Sequence, residues 1–225
     1  MRMSDSVTAD PKEKPDDGSL TERAYRRLEE LIATLQLRPG AVLSEAALAQ
    51  QLGIGRTPVR EALQRLASEG MVVVLPRRGI LVSEIDIGRQ LRLLEVRREL
   101  ERLNARNAAR RASREERAAF AELARALEEA ARTGDDISFM RLDRRFNSMI
   151  LQAGRNEFAA KAMRHMQGLS RRFWYQHYQT VLDLPRCARL HKDVAAAIAE
   201  GDEAAAGVAS DRLIDYIEEF SRATL

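Results

Sequence analysis

Cysteine is almost absent from the chain: Cys187 is the single one among 225 residues. One thiol cannot close an internal disulfide, and no Cys-x-x-Cys redox pair exists, which fits a reducing cytoplasm. Aromatic residues make up only 5%; with abundant Ala, Leu and Arg this composition predicts helices and few strands. No apolar run approaches the length of a membrane span. The first nineteen residues, MRMSDSVTADPKEKPDDGS, lack the apolar core of a signal peptide and are expected to form a disordered tail. Motifs of catalysis are missing too, since no Ser/His/Asp order, His-Glu-x-x-His or glycine-rich phosphate loop occurs. That argues against an enzyme. Neither is there a large excess of one charge: 37 Lys and Arg against 34 Asp and Glu give a net +3. Such a balance permits nucleic-acid binding without demanding it, so the distribution of charge matters more than its sum.

What is present divides the chain into two small domains. From Leu20 to about Gln36, Tyr25, Leu28, Leu31, Ile32 and Leu35 recur at helical spacing. Ser44 can cap a short second helix with Leu48 and Leu52 inward. A turn at 53–55 leads into a third helix, for which Thr57 is the expected cap and Pro58 the first helical residue. In this third helix Val59, Leu63 and Leu66 face a core, whereas Arg56, Arg60 and Gln64 follow one another on a different side. Arginine can hold guanine or phosphate with two parallel donors and glutamine can read adenine, so the stripe suits a DNA major groove; an ordinary solvated face is the plainer alternative. The stretch MVVVLPRRGILVSE then predicts a short hairpin around Pro76–Gly79 with Arg77 and Arg78 at its tip. Three helices followed by a basic hairpin form a winged helix-turn-helix, and this ordered set favours DNA binding more than any part alone.

Beyond Glu84 the sequence is helical nearly without interruption. Leu93, Val96, Leu100 and Leu103 recur at helical spacing, and later segments with polar breaks bring the total to six or seven helices, expected to pack as an all-α antiparallel bundle. Phe139, Phe146, Ile150 and Val194 place Asp143, Asn147 and His191 on or beside inward faces. A hydrogen-bonded polar cluster would account for them without a ligand. Phe173, Trp174, Tyr175 and Tyr178 form an aromatic cluster that packs in the core, walls a cavity or seals a dimer.

The segments ERAYRRLEELI and LRPGAVLSEAALAQQLGIGRTPVREALQRLASEGMVVVLPRRGILV resemble the GntR family of bacterial transcription regulators. LLEVRRELERLNARNAARRA, RLDRRFNSMI and LHKDVAAAIAEGDEAAAGVASDRL are similar to the FadR-type ligand-binding domain, called FCD. The resemblance implies a tail at 1–19, a winged DNA-binding domain at 20–83, a linker at 84–88, and a helical effector-binding and dimerisation domain at 89–225; the hinge between the two parts is expected at 83–88. It further implies a cytoplasmic homodimer on a palindromic operator, a repressor of a catabolic or transport operon. DNA contacts carried over from the family fall on Arg56, Thr57, Arg60 and Gly79, beside Gln64, Arg77 and Arg78. Where the family often has Ser or Thr at the start of the recognition turn, this chain has Gly55, so a hydroxyl contact to phosphate is absent.

Many FadR-type domains hold zinc or nickel with one Asp and three His. Here Asp143 and His191 match, Asn147 replaces one histidine and Leu213 the last, so the implied metal set of Asp143, Asn147 and His191 is depleted. Arg97 matches an arginine that faces the effector. A buried arginine without a carboxylate partner would be costly, and a carboxylate ligand, a small organic acid, would solve that; an internal salt bridge is the alternative. Effector-binding residues are therefore expected to be Arg97, Asp143, Asn147 and His191. Two other functions compete: a constitutive dimeric DNA-binding protein with a ligand-free helical domain, and a metal-dependent enzyme.

Overall fold

A computed structural model describes residues 19–75, 79–181 and 183–224. The expected tail and the tip residues Arg77 and Arg78 lie outside these residues, Ser19 excepted. The N-terminal module starts with α1 (Leu20–Ala33), capped by the Ser19 hydroxyl, which accepts from the Glu22 amide. Ala24, Leu28, Ile32 and Ala33 form its buried face. The helix ends before the expected Gln36 because Leu35 adopts a left-handed φ of 60°, and Leu37 N bonds back to the Leu31 carbonyl at 2.9 Å.

Next come β1 (Val42–Leu43) and α2 (Glu45–Leu52), the latter capped as expected by Ser44, whose hydroxyl accepts from Ala47 N. Helix α3 spans Arg56–Ser68 with Gly55 at its cap position and no capping side chain. Thr57 is thus inside the helix and Pro58 is its third residue, which corrects the expected start. Proline is tolerated there because the first intrahelical donor is Val59, bonded to the Gly55 carbonyl at 3.3 Å; the amide that Pro58 lacks would have had no acceptor in the helix. The hairpin of β2 (Val72–Leu75) and β3 (Gly79–Val82) is present. It gains a partner that the sequence reading did not include, since Val42 and Leu43 pair with Leu81 and Ile80 to give a three-stranded sheet of order β1-β3-β2.

Six helices make up the rest of the described chain: α4 (Ile87–Arg111), α5 (Arg114–Thr133), α6 (Asp136–Gly154), α7 (Glu157–Val181), α8 (Leu184–Glu200) and α9 (Glu203–Arg222). Phe120, Leu123 and Leu127 of α5 and Val194 and Ile198 of α8 belong to one continuous core with Phe139, Phe146 and Ile150. Helix α4 departs from expectation. Its buried residues are Leu94, three alanines and the polar Gln90, Asn104 and Asn107, whereas Val96 and Leu103 are 53% and 42% exposed. The small alanines let α4 approach the bundle closely, and ion pairs Arg98 to Asp215 (2.7 Å), Arg102 to Asp211 (2.8 Å) and Arg106 to Glu203 (2.9 Å) tie it to α9. The stripe of Leu93, Val96, Leu100 and Leu103 is left half-buried or exposed.

Candidate nucleic-acid interface and bundle cavity

The two sides of α3 are sharply divided. Val59, Ala62, Leu63 and Leu66 are all 0% exposed, so the helix is fixed in the N-terminal core, while Arg56, Thr57, Arg60 and Gln64 are exposed. Arg60 does not wave freely. Its Nε and Nη2 donate to Glu45 Oε2 at 3.0 and 2.9 Å, and this pairing raises its pKa through the hydrogen bond and the charge of Glu45. Glu45 was invisible to local spacing, because it lies on α2. Gly79 opens β3 opposite Leu75 with φ +94°, a conformation that side chains rarely adopt, so this position favours glycine.

Within the bundle the structure brings Asp143, Asn147 and His191 together. His191 Nδ1 lies 2.8 Å from the Cys187 carbonyl and Nε2 lies 3.1 Å from Asp143 Oδ1. Asn147 Nδ2 donates to that same oxygen at 3.0 Å and to the Asp143 carbonyl at 2.9 Å. The rings of Phe139 and Phe146 stand edge-on to the imidazole at 5.3 and 5.1 Å. Burial opposes a charge on His191, but the Cys187 sulfur and the Asp143 carboxylate outweigh it and hold the imidazole well above its ordinary 6.5. With acceptors at both nitrogens, the imidazolium is the form this pocket fits.

A metal ion is not. Asn147 is a donor to the carboxylate, and Leu213, 3% exposed, supplies hydrocarbon where a further ligand is expected. No group of three or more His, Cys, Asp or Glu suited to a metal exists among the described residues, so the zinc or nickel set does not fit.

The raised histidine gives a test by its sign. Stabilisation by this pair is full below the unfolded value of about 6.5 and is lost as pH rises through the higher folded value. Urea midpoints are expected to fall as pH rises above about 6.5, and Asp143→Asn to lower the midpoint at the acid end and flatten the trend. A variant with the parental pH profile would contradict the pairing.

Arg97 also has an internal partner. It is ion-paired with Glu101, their side chains 11% and 14% exposed, and it donates to Ser170 Oγ. Arg97 therefore needs no ligand to neutralise it. Glu101 borders a cavity of about 20 Å³ between α4, α6, α7, α8 and α9, where Asn104, Asn147, Gln167, Ser210 and Leu213 are among the lining residues. The aromatic cluster is elsewhere: Trp174 stacks on Tyr178 at 4.6 Å, and Phe173 meets Phe220 edge-on at 6.3 Å.

The contact between the two modules was not foreseen. Arg172 of α7, 2% exposed, donates to the carbonyls of Ser83 (2.9 Å) and Glu84 (3.1 Å). These are the residues that follow β3, and the Ser83 hydroxyl itself donates to the Gly70 carbonyl at 2.8 Å. Burial, with the neighbouring Arg89 charge, pushes Arg172 down to about 10, Glu84 opposing; it remains a cation at neutral pH. Arg171 pairs with Glu29 of α1 at 3.0 Å, and Leu169 packs on the N-terminal core. Gly168 is where α7 meets Met71, for a Cβ added there would lie 2.5 Å from its sulfur. The expected hinge at 83–88 is thus clasped by α7.

Known proteins resemble both parts. The family model described as FCD domain matches residues 92–216, and that of bacterial regulatory proteins of the gntR family matches 20–82. An uncharacterized HTH-type transcriptional regulator in an unstable DNA locus of Streptomyces ambofaciens is 51% identical over 65 residues, 29% of this chain and 28% of its own length. HTH-type transcriptional regulator McbR of Escherichia coli (strain K12) is 33% identical over 132 residues, 59% of this chain and 60% of its own. The matched stretch therefore spans less than two thirds of either relative. The solved structure of E. coli McbR/YncC has a TM-score of 0.79 at 23% identity, covering 92% of this chain and 99% of the other, a likeness of fold.

Proposed function

The chain belongs to the FCD-domain family and carries a gntR-family module at 20–82, and from that premise we propose that it is an effector-responsive transcription regulator, binding a two-fold related operator in double-stranded DNA as a homodimer. The observation that carries this reading is the division of α3, with Arg56, Thr57, Arg60 and Gln64 outward from a helix whose other side is wholly buried. Such a helix presents base-reading side chains on a rigid support. The wing, with Gly79 in place and Arg77 and Arg78 beyond it, would add backbone contacts. For the dimer, support comes from the apolar stripe of α4 that the protomer leaves half-buried or exposed. The repressing direction, the catabolic or transport target and the cytoplasmic setting rest on the family resemblance. An enzyme is no longer a competing reading, because the family is one of regulatory proteins. No helix among the described residues is long and apolar enough to cross a membrane.

Response to an effector is supported by α7, which carries cavity residues Met163 and Gln167 and, directly after them, the contacts of Gly168, Arg171 and Arg172 with the N-terminal module. A ligand that repositions α7 changes the placement of the α3 helices, which must sit about one DNA turn, roughly 34 Å, apart in a dimer. An organic acid, expected from the sequence, would have to draw Arg97 away from Glu101.

Selection of duplexes from a random pool by the full chain tests this reading. A palindromic consensus bound by a dimer, with affinity falling steeply as salt rises, is expected. A strictly monomeric chain that retains no duplex at low ionic strength would overturn it. In the same assay Glu45→Gln should raise affinity for random duplex about threefold, by removing a negative charge from the interface, while narrowing discrimination because Arg60 is no longer held. Unchanged discrimination would show that Glu45 does not orient Arg60.

A further inference from the structure

A hydrogen-bond donor is stranded in the middle of the bundle. Asn104 is 2% exposed, its Nδ2 has no partner, and the residue lines the cavity together with Gln167, Ser210, Met163, Val194 and Leu213. A buried amide N–H without an acceptor is uncommon enough to need an occupant beside it. The charges near this space are already spent on each other, Arg97 on Glu101 and His191 on Asp143.

Resting on the reading of the bundle as a sensor, we propose that the cavity selects a small uncharged molecule whose carbonyl or amide oxygen accepts from Asn104 Nδ2, and that binding requires neither a metal ion nor a carboxylate on the ligand. A carboxylate entering here would meet the Glu101 carboxylate and no unpaired cation, and a buried charge without a counterion is strongly disfavoured. A metal ion would find Asp143 and His191 bound to each other and leucine at 213. The hydrocarbon of an amide or ketone suits Val194, Leu213 and Met163. At about 20 Å³ the space admits one water-sized group, so the ligand must be small, and the unbranched, flexible Met163 is the wall that yields most readily.

Propionamide and propionate, nearly equal in shape and differing in charge, separate the possibilities. The full chain, labelled with ¹⁵N, is titrated with each while the side-chain amide of Asn104 is followed, identified by its loss in Asn104→Ser. The unmodified chain carries the test, so poor folding of the variant does not affect it if the resonance is assigned by through-bond correlation. A saturable shift with propionamide and at least tenfold weaker binding of propionate are expected, with no saturable heat from zinc chloride by calorimetry. Equal or tighter binding of propionate, stoichiometric zinc uptake, or an amide that neither compound moves, the mark of a cavity that holds water only, would each overturn the proposal. Binding of a selected duplex is measured on the same samples. If it persists while the ligand result fails, the ligand class is wrong and the regulator reading stands; if no duplex binds, that reading fails separately.

Discussion

Arg172→Met should uncouple the unfolding of the two modules. The substitution keeps most of the side-chain volume but removes the donors to the Ser83 and Glu84 carbonyls, leaving acceptors without their charged partner in a buried contact. Hydrogen bonds from a charged donor are worth about 1.5–3 kcal/mol each and do not add fully, so a loss of roughly 3 kcal/mol is expected. Relief of the buried charge offsets a fraction of this, since burial already lowers the pKa of this guanidinium. Trp174, the single tryptophan, reports on the bundle, whereas circular dichroism reports on both modules. In the parent the two urea transitions should coincide; in the variant the N-terminal module should unfold first, splitting the dichroism curve while the fluorescence midpoint moves little. Coincident transitions at the parental midpoint would show that Arg172 does not join the modules.

For Arg60→Ala, binding to a selected duplex should weaken roughly ten- to a hundredfold, the range for loss of a two-donor base contact. Random duplex should lose far less, because Arg60 is then one positive charge among several. Equal losses on both would contradict base reading and make Arg60 a phosphate contact. The ion pair with Glu45 sharpens the comparison. In the free protein Arg60 is held in one orientation, yet its side chain is 61% exposed and an exposed ion pair is worth little, so giving up the carboxylate for a base costs little.

Much of this was legible in the sequence wherever neighbours along the chain decide the outcome. Helical spacing separated Val59, Leu63 and Leu66 from Arg56, Arg60 and Gln64 as the structure does, and Ser44 could be placed as a cap from one turn of context. The start of α3 was misplaced because proline is acceptable at any of the first helical positions, so Pro58 does not mark which one it occupies. Strand β1 is only two residues long and cannot display alternation. For α4 the spacing located an apolar stripe but not what covers it; the alanine- and asparagine-bearing side went inward instead. Pairs distant along the chain, such as Arg172 with Ser83 or Arg60 with Glu45, leave no periodic trace. Arg97 shows the same limit at short range: Glu101, one helical turn away, supplies the carboxylate that a ligand was expected to bring.

Only residues 83–86 separate β3 from α4. Four residues reach at most about 14 Å when fully stretched, so a winged module freed from Arg172 stays on a short leash. Release would widen the angles it explores without letting it diffuse away, and each reading head would remain at a high local concentration above its half-site. In the proposed dimer, occupancy of DNA would then be lost through mismatch of spacing and tilt between the two heads, a geometric penalty that lengthening this tether with inserted glycines should progressively abolish.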